Sequence, residues 1–364
     1  MAEFNVDEKY MRRALQLAAL GRGYTAPNPM VGAVIVAPDG RVIGEGWHRR
    51  CGQAHAEVNA VNSVADADLP LLRESTIYVT LEPCSHYGKT PPCAKLLIDK
   101  QIPRVVVGAR DPNPKVDGRG IAMLRDAGAE VIVGVLADES EKLNKVFFTS
   151  QRLRRPYITL KWAQSADGFM DARRDGEHSA KHAGTRDAAR DGQGKPYAFS
   201  TPLTRLAVMK LRAENEAILT TAATVNADNP LLALHGWPGI PLRRFVVERN
   251  TKADPCSAIF DEGSGAPAII LHPSTIGDTF ATLYNSYGIT SVLVEAGPRY
   301  LAALLEQRLW DELRVEISPV CLGDRGTCPA PALPAQCPLT DTILDGHRIL
   351  LYKKIGRASC RERV

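Results

Sequence analysis

The 364 residues contain no apolar run near the roughly 20 residues that a bilayer-spanning helix needs. The opening stretch, Met1-Ala2-Glu3-Phe4-Asn5-Val6-Asp7, lacks the basic and apolar regions of a secretory signal. There is no internal repeat. The net charge of +4 comes without a long basic run, so it gives no reason to expect nucleic acid or a membrane surface as partner. The eight cysteines are scattered rather than arranged as a disulfide framework. A cytoplasmic protein is expected, in a reducing compartment where cysteines serve as thiolate ligands.

What is present describes a globular enzyme-sized chain. Apolar residues make up 45% and charged residues 24%. The length exceeds one ordinary core, so two domains are expected, at 1–147 and 148–354. The last ten residues, 355–364, fit no packing pattern and read as an in-frame adaptor translation. We set them aside as a non-native tail, with a disordered basic tail as the alternative.

Periodicity places the elements. Asp7 is a candidate N-cap for a helix carrying Met11, Ala14, Leu15 and Ala18. Strands are expected at Val31 to Val36, near Val42 to Glu45, at Ile77 to Leu81, at Val105 to Val107 and at Val131 to Val133. Helices are expected from His55, from Ala94 to Lys100 and from Gly120 to Ala127. A connecting helix, Glu141 to Ser150, precedes a second alternating series with strands at Tyr157 to Trp162, Ala217 to Leu219, Phe245 to Val247, Ala268 to Leu271 and Ser291 to Val294. Helices from Pro202 to Glu214 and from Pro298 to Leu309 belong to that series. Two α/β domains follow. The segment 172–198 is polar and almost free of large apolar residues, which predicts a mobile surface loop. His178 and His182 within it lack a helical frame, so no metal site is expected there.

The chemistry concentrates in His55-Ala56-Glu57, Glu82-Pro83-Cys84 and Cys93. One histidine and two cysteines supply three ligands to a tetrahedral Zn²⁺ and leave a fourth position open, as in a catalytic site. Glu57 lies close enough to exchange protons with a metal-activated water, the arrangement of zinc deaminases. The usual cysteine spacing in that pattern is two residues, and here eight residues separate Cys84 from Cys93. Glu82 is expected to brace the metal loop. His48, His86 and Lys89 are candidates for a substrate phosphate or for plain solvated surface.

Pro27-Asn28-Pro29, Gly44-Glu45-Gly46-Trp47-His48, His55-Ala56-Glu57, Thr80-Leu81-Glu82-Pro83-Cys84-Ser85-His86, Gly88-Lys89-Thr90-Pro91-Pro92-Cys93 and Asp111-Pro112-Asn113-Pro114 occur in order. Together they resemble the bifunctional riboflavin-biosynthesis deaminase/reductase family, whose own zinc motif carries the Gly-Lys-Thr-Pro-Pro insertion. The resemblance implies a cytidine-deaminase-like three-layer domain followed by a dihydrofolate-reductase-like α/β domain. It also implies Zn²⁺ and NADPH as cofactors, a pyrimidine ribose phosphate as substrate, and a homodimer or higher homo-oligomer. By the same resemblance His55, Cys84 and Cys93 hold zinc, Glu57 is catalytic and Asn28 orients the pyrimidine. In the second half, Lys161, Asp167-Gly168, Ala227-Asp228-Asn229-Pro230 and Val294-Glu295-Ala296-Gly297-Pro298 match more loosely. Ala163, Thr224, Asp228, Gly297 and Pro298 would hold NADPH. Arg212, Leu232, His235 and Glu295 would hold the substrate.

Several positions depart from the family pattern. Met30 stands where a second asparagine is frequent, Ala198-Phe199 where a tryptophan is frequent, and His235 where an arginine contacts phosphate. Glu248-Arg249 replaces an Asp-Ser pair that meets the cofactor, and an arginine there suits a 2′-phosphate. Three other readings compete: a deaminase with a cofactor-incompetent second domain, a tRNA or cytidine deaminase, and a structural-zinc interaction module. The last conflicts with three ligands rather than four.

Overall fold

The computed structural model describes residues 6–87, 91–113, 116–174, 196–261 and 266–354. Lys89, His178, His182, most of the polar segment and the tail 355–364 lie outside the described residues. The chain divides into two compact units, Met1–Arg155 and Pro156–Val364.

The first unit runs α1 (Val6–Ala19), β1 (Gly32–Val36), β2 (Val42–Trp47), α2 (Ala56–Asn62), β3 (Thr76–Leu81), α3 (Cys93–Asp99), β4 (Arg104–Ala109), α4 (Arg119–Asp126), β5 (Glu130–Val133), α5 (Ala137–Leu143) and α6 (Lys145–Leu153). Its sheet has the order β2-β1-β3-β4-β5. β1 pairs antiparallel with β2 and β3, while β3, β4 and β5 are parallel. All five residues of β1 are buried, because helices cover both faces. Met11, Ala14 and Leu17 of α1 pack on Val34, Tyr78 and Val106. Ala60, Leu97 and Leu124, from α2, α3 and α4, pack on Ile35, Ile77 and Val105. The alternation of side chains across the pleat makes the three layers.

Two expectations need correction here. Asp7 lies inside the first turn of α1 rather than capping it. Its carboxylate accepts hydrogen bonds from Arg104 at 2.8 and 3.0 Å and from the Tyr78 hydroxyl at 2.8 Å, tying α1 to the strands below. The connecting helix is two helices broken at Asn144. That side chain receives the Met30 N–H and donates to the Met30 carbonyl, both at 2.8 Å, which ties the break to the chain just before β1. Phe147 and Phe148 of α6 pack with Leu81 and Ala109, which makes α6 part of the first unit.

The second unit runs β6 (Tyr157–Gln164), α7 (Pro202–Ala213), β7 (Ala217–Thr221), α8 (Ala222–Asp228), β8 (Arg243–Val247), β9 (Ile269–Leu271), α9 (Ile276–Asn285), β10 (Ser291–Val294), α10 (Pro298–Glu306), β11 (Glu312–Ile317), β12 (Thr340–Leu344) and β13 (His347–Lys353). The eight strands lie in the order β12-β13-β11-β6-β10-β7-β8-β9. They are parallel from β11 to β9, and β12 and β13 form an antiparallel hairpin at one edge. Asp345 and Gly346 turn that hairpin with φ of 51° and 77°, both left-handed, as a two-residue loop demands. α8, α9 and β11 to β13 were not anticipated from periodicity. α8 is seven residues long and starts directly on the Thr221 cap, and β12 is a nearly exposed edge strand. The polar segment is not loose at its start. Ala172 is buried and bridges Gly326, packing with Phe199 and Leu322.

Candidate active sites

β3 delivers Glu82-Pro83-Cys84 at its carboxyl end, and α2 and α3 begin at His55 and Cys93. Helix α2 can come close because β2 offers glycines. A Cβ at Gly46 would stand 2.3 Å from Ala60 N and 2.4 Å from the Ala56 carbonyl oxygen. The ligand atoms of His55, Cys84 and Cys93 all lie within 4.8 Å of one another, the one such cluster among the described residues. His55 Nδ1 is 3.4 Å from Cys93 Sγ and 3.7 Å from Cys84 Sγ. The Cys93 N–H donates to Cys84 Sγ at 3.3 Å.

The Cys93 thiol, then the His55 ring and the Cys93 N–H, favour an anion on Cys84 and bring its thiol down to about 4. Beside that anion, and buried, the Cys93 thiol is pushed up. A divalent metal among the donors lets both ionise, and two thiolates with one imidazole match zinc. Glu57 is 3% exposed, and burial, then the Cys84 charge, pushes its carboxyl up to about 7.

The sequence undervalued three residues here. Glu82 is not a neighbour of the metal loop alone. Its buried carboxylate accepts from the N–H groups of Gly118, Gly120, Ile121 and Asp111 at 3.0 to 3.4 Å, holding the entry to α4. His48 is 2% exposed rather than solvated. Its Nδ1 faces the Ala54 carbonyl at 3.1 Å and its Nε2 faces the Asn28 amide nitrogen at 3.3 Å. Burial lowers its pKa, so the neutral ring donates to Ala54 and accepts from Asn28. Asp111 is buried, and burial pushes its carboxyl up to about 6. No residue pattern announces these roles, since each depends on which loop lies opposite. His86 is exposed.

In the second unit Ala163 lies at the carboxyl end of β6. Thr224 follows β7, and Glu295, Gly297 and Pro298 follow β10. Ligands of parallel α/β sheets bind outside such ends. Thr224 Oγ1 accepts the Gly297 N–H at 3.1 Å. A Cβ on Gly297 would meet only that oxygen, at 3.7 Å, so the turn before α10 is uncrowded. Arg212 and Glu295 are a bidentate pair, at 2.9 Å twice, and Arg212 also donates to the Ala233 carbonyl. Burial opposes ionisation of Glu295, but Arg212 and then Lys161 bring it down to about 2. Asp228 pairs with Arg174 at 2.5 Å, and Arg174 also pairs with Asp171. Arg174 was not anticipated. Leu232 packs in the core with Ile218 and Val246, and its main chain is left-handed, with φ of 52°. His235 is exposed.

A soft three-ligand metal site with a buried carboxyl, on a sheet ordered 2-1-3-4-5, defines a zinc-dependent deaminase of the cytidine deaminase class. It is joined here to a dihydrofolate-reductase-like domain. Residues 4–109 match the cytidine and deoxycytidylate deaminase zinc-binding region, and residues 156–351 match the RibD C-terminal domain. The riboflavin biosynthesis protein RibD of Escherichia coli (strain K12) is 38% identical over 361 residues, covering 90% of this chain and 92% of that protein. The RibD of Haemophilus influenzae is 35% identical, with 92% of each chain covered. A solved RibD of Acinetobacter baumannii superposes with a TM-score of 0.80 at 32% identity, covering 96% of this chain and 99% of that one. The diaminohydroxyphosphoribosylaminopyrimidine deaminase/5-amino-6-(5-phosphoribosylamino)uracil reductase of Thermotoga maritima gives 0.80 at 30% identity, with 96% and 99% covered. The chain belongs to the RibD family of bifunctional deaminase/reductases in riboflavin biosynthesis, with zinc and NADPH as its cofactors. Among the described residues no helix is long and apolar enough to cross a membrane.

Proposed function

We propose that the first domain removes the 2-amino group of 2,5-diamino-6-ribosylamino-4(3H)-pyrimidinone 5′-phosphate as ammonia. The second domain then reduces the ribosyl group to ribityl with NADPH. The observation that carries this reading is the gathering of three soft donors within 4.8 Å beside the buried Glu57. His55, Cys84 and Cys93 would hold zinc, which when bound lowers the pKa of its water towards neutrality. Glu57 takes a proton from water and passes it to the departing amine, a role its burial beside the three donors suits. Because His48 receives the Asn28 amide N–H, Asn28 Oδ1 is left to accept from an N–H of the pyrimidine.

In the second domain Ala163, Thr224, Asp228, Gly297 and Pro298 would line the NADPH site. Arg212, Glu295, His235 and the Leu232 main chain would line the substrate site. Glu295 is an ionised acceptor there, so it suits a sugar hydroxyl. The chain works in the cytoplasm, where its ligand thiols stay reduced, as a homodimer or higher homo-oligomer. The test supplies the diaminopyrimidine phosphate to the full chain and reads products by mass spectrometry. Deaminated ribosyl product without NADPH and ribityl product with it are expected. Glu57→Gln should keep zinc and lose ammonia release by about 10² to 10⁴-fold. Loss of zinc and folding together in that variant would contradict the catalytic role.

A further inference from the structure

A buried layer of charge in the second unit has no task in the reductase reading. β10, β6 and β11 are consecutive and parallel, with Val294 opposite Leu160, Lys161 opposite Arg314 and Ala163 opposite Glu316. Side chains alternate across a sheet, so Glu295, Lys161, Arg314 and Glu316 share one face. α7 lies over that face, with Arg212 on Glu295 and Thr204 beside Glu316. Three cations thus meet two carboxylates. Arg212 and Glu295 satisfy each other, which leaves Lys161 and Arg314 to Glu316.

Glu316 is 0% exposed, and His347 Nδ1, from β13, stands 3.0 Å from its Oε1. Burial opposes its ionisation, but Thr204, Lys161, Arg314 and Ser200 hold its carboxyl below the ordinary 4.5. Its Oε2 has no hydrogen-bond partner among the described residues, and Arg314 Nη1, at 3.6 Å, is too far to be one. Both Nη atoms of Arg314, a residue 7% exposed, are likewise without a hydrogen bond. An ion buried in that state is destabilising, and an apolar side chain of similar size would be more stable there. Lys161 differs from both. It is partly exposed and makes no hydrogen bond or ion pair among the described residues. Arg314 is its neighbour one strand away, about 5 Å between main chains, and repels the ammonium. Glu316 lies two residues, about 7 Å, further towards the carboxyl ends, and attracts it. Both forces drive the ammonium along β6 towards Ala163, at the end where ligands of parallel α/β sheets bind.

We propose that Arg314 and Glu316 are positioning residues of the reductase, whose opposed charges hold the Lys161 ammonium forward against the substrate. The proposal rests on the reductase reading of the second domain. Its test measures reduction of the deaminated ribosyl phosphate by the full chain, and acetic anhydride labelling of Lys161 against pH, read by mass spectrometry. Glu316→Gln and Arg314→Met should each raise the KM for that substrate about 10-fold and leave kcat within threefold. In a Lys161→Met background neither should change KM by more than twofold, because both act through that amine. The pH midpoint of Lys161 labelling should fall in Glu316→Gln, which loses the anion, and rise in Arg314→Met, which loses the like charge. Arg314→Met should melt no lower than the parent. A KM effect that persists without Lys161, a labelling midpoint unmoved in both variants, or a lower melting temperature in Arg314→Met overturns the proposal while leaving the reductase reading in place. Absence of NADPH-dependent reduction in the unmodified protein overturns the reductase reading itself.

Discussion

Gly46→Ala is the sharpest perturbation of the deaminase site, because it acts through one close approach of helix to strand. The added methyl would stand 2.3 Å from Ala60 N, 2.4 Å from the Ala56 carbonyl oxygen and 2.7 Å from the Asn59 carbonyl carbon. All three are main-chain atoms of α2, so no side chain can swing aside. Ordinary contact needs about 1 Å more, and interiors resist such overpacking at about 1 to 3 kcal/mol. If α2 retreats by that distance, His55 and Glu57 at its start move with it. Metal bond lengths tolerate only about 0.2 Å, and a 1 Å misplacement in a catalytic constellation costs about 100-fold. The expected outcome is loss of bound zinc and a fall of about 100-fold or more in ammonia release. NADPH-dependent reduction of the deaminated intermediate serves as an internal reference, since Gly46 belongs to the first unit. β2 is an edge strand and could yield instead of α2. One zinc per chain with ammonia release within threefold of the parent would show that it does, and would refute the reasoning.

Two further outcomes test other parts of the same architecture. Cys84→Ser should lose zinc and ammonia release together while the reductase step continues, and full zinc with normal turnover would remove Cys84 from the ligand set. Asp7→Asn should destabilise the first unit by about 1 kcal/mol at neutral pH, since its ion pair with Arg104 is partly exposed. The Arg104 hydrogen bond holds the Asp7 carboxyl below its ordinary 3.8. That stability is therefore complete above the unfolded value and is lost as pH falls through the lower folded one. Melting curves of parent and variant should converge on acidification below pH 4, and a gap that stays constant would show that ionisation of Asp7 is not its source.

The candidate metal centre was legible because its chemistry demands residue types that composition makes scarce. Thiolate, imidazole and carboxylate side chains in the order His55, Glu57, Cys84 and Cys93 narrow the possibilities before any fold is known. The central strands were legible for a similar reason, since parallel strands covered on both faces read as continuous apolar runs, such as Val105 to Val107. Elements whose signal is weak or divided were not. The nearly exposed β12 has little to bury, and the seven-residue α8 is too short for helical periodicity to show.

By itself, then, the sequence determined the two α/β domains and singled out His55, Cys84 and Cys93 as candidate donors with Glu57 beside them, because hydrophobic period and ligand chemistry are local properties of the chain. Only the tertiary structure decided that His48 is an internal prop for Asn28, that Glu82 gathers three N–H groups at the start of α4 and one just after β4, and that Asn144, at a helix break, holds Met30. It also decided that Arg212 is paired with Glu295. Each of these depends on which polar group faces another across 20 to 114 residues of chain, and for the buried ones burial makes the pairing obligatory without leaving any mark in the local sequence.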